Sequence, residues 1–200
     1  MIRGTAVVAS RGVTPLRLAE PGHGHGAADP HAWQNVANVK LYASNIRDGL
    51  IAADPPNRDA YGANAAAYLA RLDALEAEIR AAWGPIPRAM RRIVTSHDAF
   101  SYYGDAYGVD FLAPQSALSA SEPTPREMAT LIAQIRRDKV RALFLENISA
   151  GQVLAQVSRE TGVRIGGRVY SDALSAAGGP ATSYTDMMRH NTRLLTDALR

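Results

Sequence analysis

The chain has 200 residues, enough for one domain of ordinary size or two small lobes, and 46% of them are hydrophobic, enough for a real core. It contains no cysteine, which excludes disulfides and thiolate zinc clusters. The net charge of +3 is small and comes from scattered arginines, which argues against nucleic-acid binding. No stretch approaches the ~20 apolar residues of a membrane span, and the first ten residues are too polar for a signal peptide.

The first third of the chain predicts little sheet and two helices. Residues 5–10 predict a short buried strand, and the Gly-His repeat at residues 21–26 predicts a loop. A first helix is expected to begin at Asp29-Pro30, with Asp29 as its N-cap, and to run to about Ala53. Its apolar positions keep helical spacing and are Trp33, Val36, Val39, Ile46 and Leu50. After a Pro-Pro break, an alanine-rich helix is predicted from Arg58 to Trp83.

The rest of the chain alternates short strands with helices. Strands are expected at residues 93–95, 109–112, 142–145 and 163–165, and helices at 98–107, 124–137, 150–161 and 183–199. Thr124-Pro125 has the composition of a helix start, with Thr124 as the N-cap. Alternation of this kind predicts an α/β fold with a parallel sheet and helices on its faces.

Two unequal parts are expected on either side of the long helix. Residues 85–175 form a complete small α/β lobe, whereas residues 1–55 supply only part of a second lobe. Residues 56–84 contain the connecting helix, and residues 176–200 contain a C-terminal helix.

Three residues have the chemistry of metal ligands and lie where a strand or loop meets a helix: His31, His97 and Asp172. Two imidazoles and a carboxylate suit zinc, manganese or iron. His97 and Asp172 follow predicted strands, so they share the carboxyl edge of the sheet, where open α/β proteins bind ligands. The alternative is structural, because a single histidine at a helix start or a single aspartate before a turn often serves packing or capping.

The other histidines give weaker signals. His23 and His25 form a His-Gly-His pair that either recruits metal weakly or has no function. His190 lies in the middle of the last predicted helix and is interpreted as a surface or packing residue.

Two glutamates are further candidates. Glu146 follows a strand on the same edge as His97, where it either orients a ligand histidine or serves as a capping partner for Ser149. Glu122 is a candidate for contact with a partner.

The motifs around these residues resemble those of the metal-specific solute-binding proteins of zinc and manganese ABC transporters, the ZnuA/TroA-like group. The resemblance extends in order over nearly the whole chain. The matching stretches are Asp29-Pro30-His31-Ala32-Trp33, residues 96–103 with 107–109, residues 144–147, Tyr170-Ser171-Asp172-Ala173-Leu174 and residues 184–191.

This resemblance implies two α/β lobes joined by one long rigid helix, with metal bound between them. By motif position, His31, His97 and Asp172 correspond to three of the four usual ligands, and His97 favours zinc, because manganese-selective members tend to carry Glu there. The first ligand of the group, its export signal and most of its N-terminal lobe have no counterpart here. The function implied is binding of zinc, or manganese, and delivery to the membrane permease of an ABC importer, in the periplasm or as a cell-surface lipoprotein, without catalysis.

Two other functions are compatible with the residues. Three protein ligands and an open position also describe a hydrolytic zinc site, for which Glu146 is the candidate general base. A fragment without function is the second alternative, in which the bare apolar surface of the incomplete lobe causes self-association.

Overall fold

The computed structural model of the protein describes residues 6–17, 28–114 and 123–200. Two helices come first in these ranges, and strands and helices then follow in turn. The helices are α1 (Val36–Ala53), α2 (Arg58–Trp83), α3 (Ser101–Tyr107), α4 (Pro125–Arg137), α5 (Gln152–Thr161) and α6 (Tyr184–Asp197). The strands are β1 (Arg92–Val94), β2 (Asp110–Leu112), β3 (Ala142–Glu146) and β4 (Ile165–Val169), and short 3-10 turns occupy Ala32–Gln34, Pro55–Asn57 and Arg88–Met90.

The strands form one parallel sheet in the order β2-β1-β3-β4. Ile93 of β1 lies between Phe111 of β2 and Ala142 of β3. From β1 the chain goes to β2 on one side and then to β3 and β4 on the other, so the strand order reverses between β1 and β3. All carboxyl ends meet at one edge, and such a reversal is where open α/β sheets bind ligands. The predicted α/β class with a parallel sheet is confirmed.

Helices cover both faces of the sheet because successive strand side chains point in opposite directions. Ile93 and Phe144 face a core formed mainly by α2, α3 and α6. Their neighbours Val94 and Leu143 face a second core formed by α4 and α5. The sheet thus lies between two layers of helices. These layers cover its faces and not the edge where the carboxyl ends of the strands lie, so a site can form there.

Helix α2 has the predicted bounds and is about 39 Å long at 1.5 Å per residue. Its C-terminal half is buried in the sheet core through Leu72, Leu75, Ile79 and Trp83. The rest of α2 packs along α1, and α6 returns to pack on α2. Helix α2 therefore connects α1 with the sheet.

The predicted N-cap of α4 is confirmed. Thr124 Oγ1 accepts a hydrogen bond from the Glu127 N–H at 3.3 Å, and the Glu127 carboxylate accepts one from the Thr124 N–H at 2.7 Å. This reciprocal pair satisfies two backbone donors at the start of the helix.

The strand predicted at residues 5–10 is wrong for the described residues 6–10. Val7 and Val8 are 44% and 58% exposed, and a turn follows directly at residues 9–12. The segment instead lies on α1, where the Asn45 side-chain amide donates to the carbonyl oxygens of Ala9 and Arg11. A strand needs backbone hydrogen bonds to a neighbouring strand. Here the backbone carbonyl groups are bound by the side chain of Asn45 on α1.

The predicted start of the first helix is also wrong. Helix α1 begins at Val36 with Asn35 as its N-cap, because the Asn35 side chain accepts the Ala37 N–H at 2.9 Å. A separate turn comes before it and carries His31, and Asp29 belongs to this turn. The predicted apolar stripe is buried only at its start, since Ile46 and Leu50 are 47% and 43% exposed.

The last strand lies later in the chain than predicted. Residue 163 follows Gly162, whose left-handed backbone (φ 75°) ends α5, and β4 begins at Ile165 and extends to Val169. Within the described ranges, no helix combines the length and the apolarity that crossing a membrane requires.

Candidate metal centre

The candidate residues that follow or end the strands meet at the edge of the sheet where the carboxyl ends of the strands lie, as the sequence predicts. His97 follows β1, Glu146 is the last residue of β3, and Asp172 comes shortly after β4. His97, in the loop after β1, and Glu146, at the end of β3, therefore lie at the two strands between which the strand order reverses. His31 reaches the same place from the turn before α1.

His31, His97 and Asp172 form one cluster in which a ligand atom of each lies within 4.8 Å of those of the others. The Asp172 carboxylate lies between the two imidazoles, with Oδ1 3.3 Å from His31 Nε2 and Oδ2 3.3 Å from His97 Nε2. The imidazole rings stand 5.3 Å apart, centroid to centroid. The tertiary structure thus unites all three predicted ligands, and Asp172 does not act as a turn cap.

A buried carboxylate supports each imidazole from behind. Asp29 Oδ1 lies 2.8 Å from His31 Nδ1 and also accepts the His31 N–H at 2.8 Å. Glu146 Oε2 lies 2.6 Å from His97 Nδ1, and Oε1 accepts the His97 N–H at 2.7 Å. Contacts of this kind favour a proton on Nδ1 and aim Nε2 at the centre, which is the orientation that metal-binding histidines need.

The contacts of Glu146 favour the first of its two expected roles, that of orienting His97. Its carboxylate faces His97, while the Ser149 hydroxyl contacts only its backbone carbonyl, at 3.2 Å.

The sequence interpretation missed the role of Asp29. An aspartate whose side chain accepts the N–H two residues later forms an Asx turn. The spacing Asp29-Pro30-His31 is compatible with that motif as well as with the predicted helix N-cap.

The charges at the centre favour a cation. Burial alone would lower the pKa of His31, but hydrogen bonds to Asp172 and Asp29 outweigh it and raise this pKa to about 9. Burial would also lower the pKa of His97, but hydrogen bonds to Asp172 and Glu146 outweigh it and raise this pKa to about 10. The pKa of Asp172 is lowered despite its burial by the same two imidazoles. Three carboxylates around two imidazoles therefore stabilise added positive charge.

The centre opens to solvent on the side of Asp172. The side chain of His31 is 5% exposed, that of His97 14% and that of Asp172 28%. Three donors with one accessible side leave room for a further ligand on an ion, such as water.

His190 lies outside the cluster. His190 on α6 has Nε2 3.0 Å from the carbonyl oxygen of Arg168, and its ring packs edge-on against Tyr170, as expected of a packing residue. His23, His25 and Glu122 lie outside the described residues.

Comparison with known families decides which family the chain belongs to. The model of the family described as "Zinc-uptake complex component A periplasmic", ZnuA, matches residues 2–198 of the chain. The chain belongs to the ZnuA family. This confirms the resemblance that the motifs indicate.

The names of relatives of this ZnuA-family chain mention different metals. It is 36% identical over 199 residues to the manganese-binding lipoprotein MntA of Halalkalibacterium halodurans, covering 100% of the chain and 66% of MntA. It is 36% identical over 185 residues to the iron-binding protein YfeA of Yersinia pestis, covering 92% of the chain and 58% of YfeA.

Among solved structures, the periplasmic zinc-binding protein TroA of Treponema pallidum superposes with a TM-score of 0.83 at 29% identity. The match covers 92% of this chain and 67% of TroA. The fold of the chain is therefore that of the TroA-like binding proteins.

The names of these relatives describe binding of manganese, iron or zinc. The ZnuA-family chain spans about 58–66% of the length of the two curated relatives.

Proposed function

We propose that this chain binds a divalent metal ion, preferentially zinc, through His31, His97 and Asp172, and that it takes part in delivering the metal to an ABC importer. The metal is the cargo of the protein and is not a catalytic cofactor. The observation that carries the proposal is the cluster itself, with its ligand atoms within 4.8 Å and each imidazole fixed by a buried carboxylate.

The preference for zinc rests on the donor set. Two imidazole nitrogens and one carboxylate are donors typical of zinc sites, whereas manganese sites are richer in oxygen donors. His97 supplies the nitrogen that would be an oxygen in a manganese-selective member of the family. Water, or a donor outside the described residues such as His23 or His25, completes the coordination.

The partner and the location follow from the family. Relatives are named as lipoproteins and as periplasmic binding proteins, which supports an extracytoplasmic location and the permease of an ABC transporter as the partner. The lobe assignment made from the sequence belongs to the same proposal: residues 1–55 and 85–175 flank the metal, residues 56–84 connect them, and residues 176–200 pack back onto the first lobe.

Isothermal titration of the metal-free chain with zinc tests the proposal. We expect saturable binding near one equivalent, and loss of ~100-fold or more of the affinity in His97→Ala, because a lost ligand leaves two donors. His190→Ala is the matched control, since it removes an imidazole that contacts Arg168 and lies outside the cluster. Absence of saturable binding, or equal affinity of His97→Ala and the wild type, would contradict the function.

Competition between metals tests the preference. The metal-free protein is incubated with an equimolar amount of zinc and a 100-fold excess of manganese and is then desalted. We expect elemental analysis to find zinc in the protein. Predominant manganese would overturn the zinc preference and leave divalent metal binding in place.

A further inference from the structure

The backbone beside Asp172 is bound directly by residues beside His31. The Ser171 carbonyl oxygen accepts a hydrogen bond from Trp33 Nε1 at 3.1 Å and one from Gln34 Nε2 at 3.3 Å. Ser171 precedes Asp172 in the chain, and Trp33 follows shortly after His31. We call Trp33, Gln34 and Ser171 the latch, because they join two candidate ligands without using any ligand atom.

The latch is buried and held from several sides. Gln34 is fully buried and Ser171 is 1% exposed, so water does not compete readily for these hydrogen bonds. The Ser171 N–H donates to Asn147 Oδ1 at 3.3 Å, so the loop after β3 restrains the same residue. On the other side, the Tyr184 hydroxyl of α6 donates to the Trp33 carbonyl oxygen at 2.9 Å.

Among the described residues, the hydrogen bonds and ion pairs between these two segments are those of the latch and the pair formed by His31 and Asp172. His31 lies on a 3-10 turn before α1, and Asp172 lies on a loop after β4, the edge strand of the sheet. A metal site loses affinity when its donors move apart by as little as an ångström. Whatever fixes the distance between these two segments therefore affects how long an ion is retained.

We propose that Trp33 and Gln34 are positioning residues of the metal centre, which hold the Ser171 carbonyl so that Asp172 stays in place opposite His31 and thereby slow the release of the metal. This inference rests on the proposed function. It assigns a part in metal retention to two residues that contact no metal.

Trp33→Phe and Gln34→Met test the latch, because each removes one N–H donor and keeps most of the side-chain volume. Trp83→Phe is the matched control: it removes the hydrogen bond from the other indole, Trp83 Nε1 to Tyr103 Oη at 2.8 Å, inside the core of the sheet. Zinc-loaded proteins are mixed with excess chelator, and the release rate is measured by stopped flow. Thermal unfolding of each variant separates loss of stability from loss of retention.

We expect zinc to leave Trp33→Phe and Gln34→Met about five- to tenfold faster than the wild type, the effect of one lost hydrogen bond. The release rate of Trp83→Phe should stay unchanged even where its melting temperature falls equally. Release at the wild-type rate from both latch variants would overturn the proposal while leaving the proposed function intact.

A wild-type chain that holds no zinc would overturn the proposed function instead. The positioning role is then judged in metal-free protein by hydrogen exchange of the amides of residues 171–174. Faster exchange in the two latch variants than in Trp83→Phe supports the role, and equal exchange refutes it.

Discussion

The imidazole rings of His31 and His97 lie 5.3 Å apart at an angle of 71°, although one belongs to a turn before α1 and the other to the loop after β1. Each ring has a carboxylate behind its Nδ1 and shares Asp172 in front of its Nε2. Two chains of the type carboxylate–imidazole–carboxylate therefore converge on one point.

Metal binding should release protons and strengthen as the pH rises. The pKa values of His31 and His97 are raised to about 9 and about 10, so both imidazoles carry an extra proton at pH 7 in the metal-free protein. A metal requires the unprotonated Nε2 and displaces these protons, so affinity should rise by up to about two decades per pH unit below pH 9. Titration calorimetry in buffers of different ionisation enthalpy should count close to two protons released per zinc at pH 7. No proton release would show that the imidazoles are already neutral.

The stability of the metal-free fold should depend on pH in the opposite direction. Because both histidines have a folded pKa above the ordinary value of 6.5, their protonated pairs with Asp172 stabilise the fold fully below about pH 6.5. This contribution disappears as the pH rises through 9 to 10. Urea unfolding of metal-free protein should show a stability that falls between about pH 6.5 and about pH 10, a loss that His97→Ala reduces. An identical pH profile for His97→Ala and the wild type would contradict the ion pairs.

Glu146→Gln should weaken zinc binding by about 10- to 100-fold, the usual effect of losing a carboxylate behind a ligand histidine. Glu146 accepts from both the backbone N–H and the Nδ1–H of His97, so one of these donors would face the NH₂ group of glutamine. Glu78→Gln is the control, because Glu78 pairs with Arg189 on the surface. Equal zinc affinities of Glu146→Gln and Glu78→Gln, by titration calorimetry, would refute the orienting role.

Trp33 should report metal binding by fluorescence. Its ring lies 5.4 Å from that of His31, and the chain has one other tryptophan, Trp83, which lies in the core of the sheet. In Trp83→Phe, zinc should change the emission in a saturable manner, because a protonated imidazole beside the indole is replaced by a metal-bound one. The emission of Trp33→Phe should not respond. A response of equal size in Trp33→Phe would show that the signal arises elsewhere.

The 200-residue chain should self-associate through a patch of exposed apolar residues on α1 and the segment that lies on it. Val8, Ile46 and Leu50 are 58%, 47% and 43% exposed, and Val7 beside them lies over Gly49. Ile46 and Leu50 lie one turn apart on α1, and exposed apolar side chains grouped in this way favour contact with a second copy. In sedimentation velocity, Ile46→Glu should shift the chain towards monomer, whereas Ile148→Glu, at a position of 53% exposure elsewhere, should not. A wild-type monomer at all concentrations would contradict the prediction.

Much of this protein is determined locally by its sequence. The α2 bounds follow from alanine-rich helical spacing between two proline breaks, and the Thr124 cap follows from a short-range hydrogen-bond pair. The three candidate ligands could be named because short motifs around them are specific and because a strand end positions a residue on the carboxyl edge of a parallel sheet.

Only the tertiary structure decided the rest, because it depends on contacts between segments distant in the chain. Residues 6–10 could form a strand only beside another strand. They do not form one, because helix α1 lies beside them. Asp29 supports His31 and does not cap α1, since the turn that separates it from Val36 is held by the Tyr184 hydroxyl and the Ser171 carbonyl. The sequence determined which side chains this centre has, and the packing of α1, α6 and the sheet determined how they face one another.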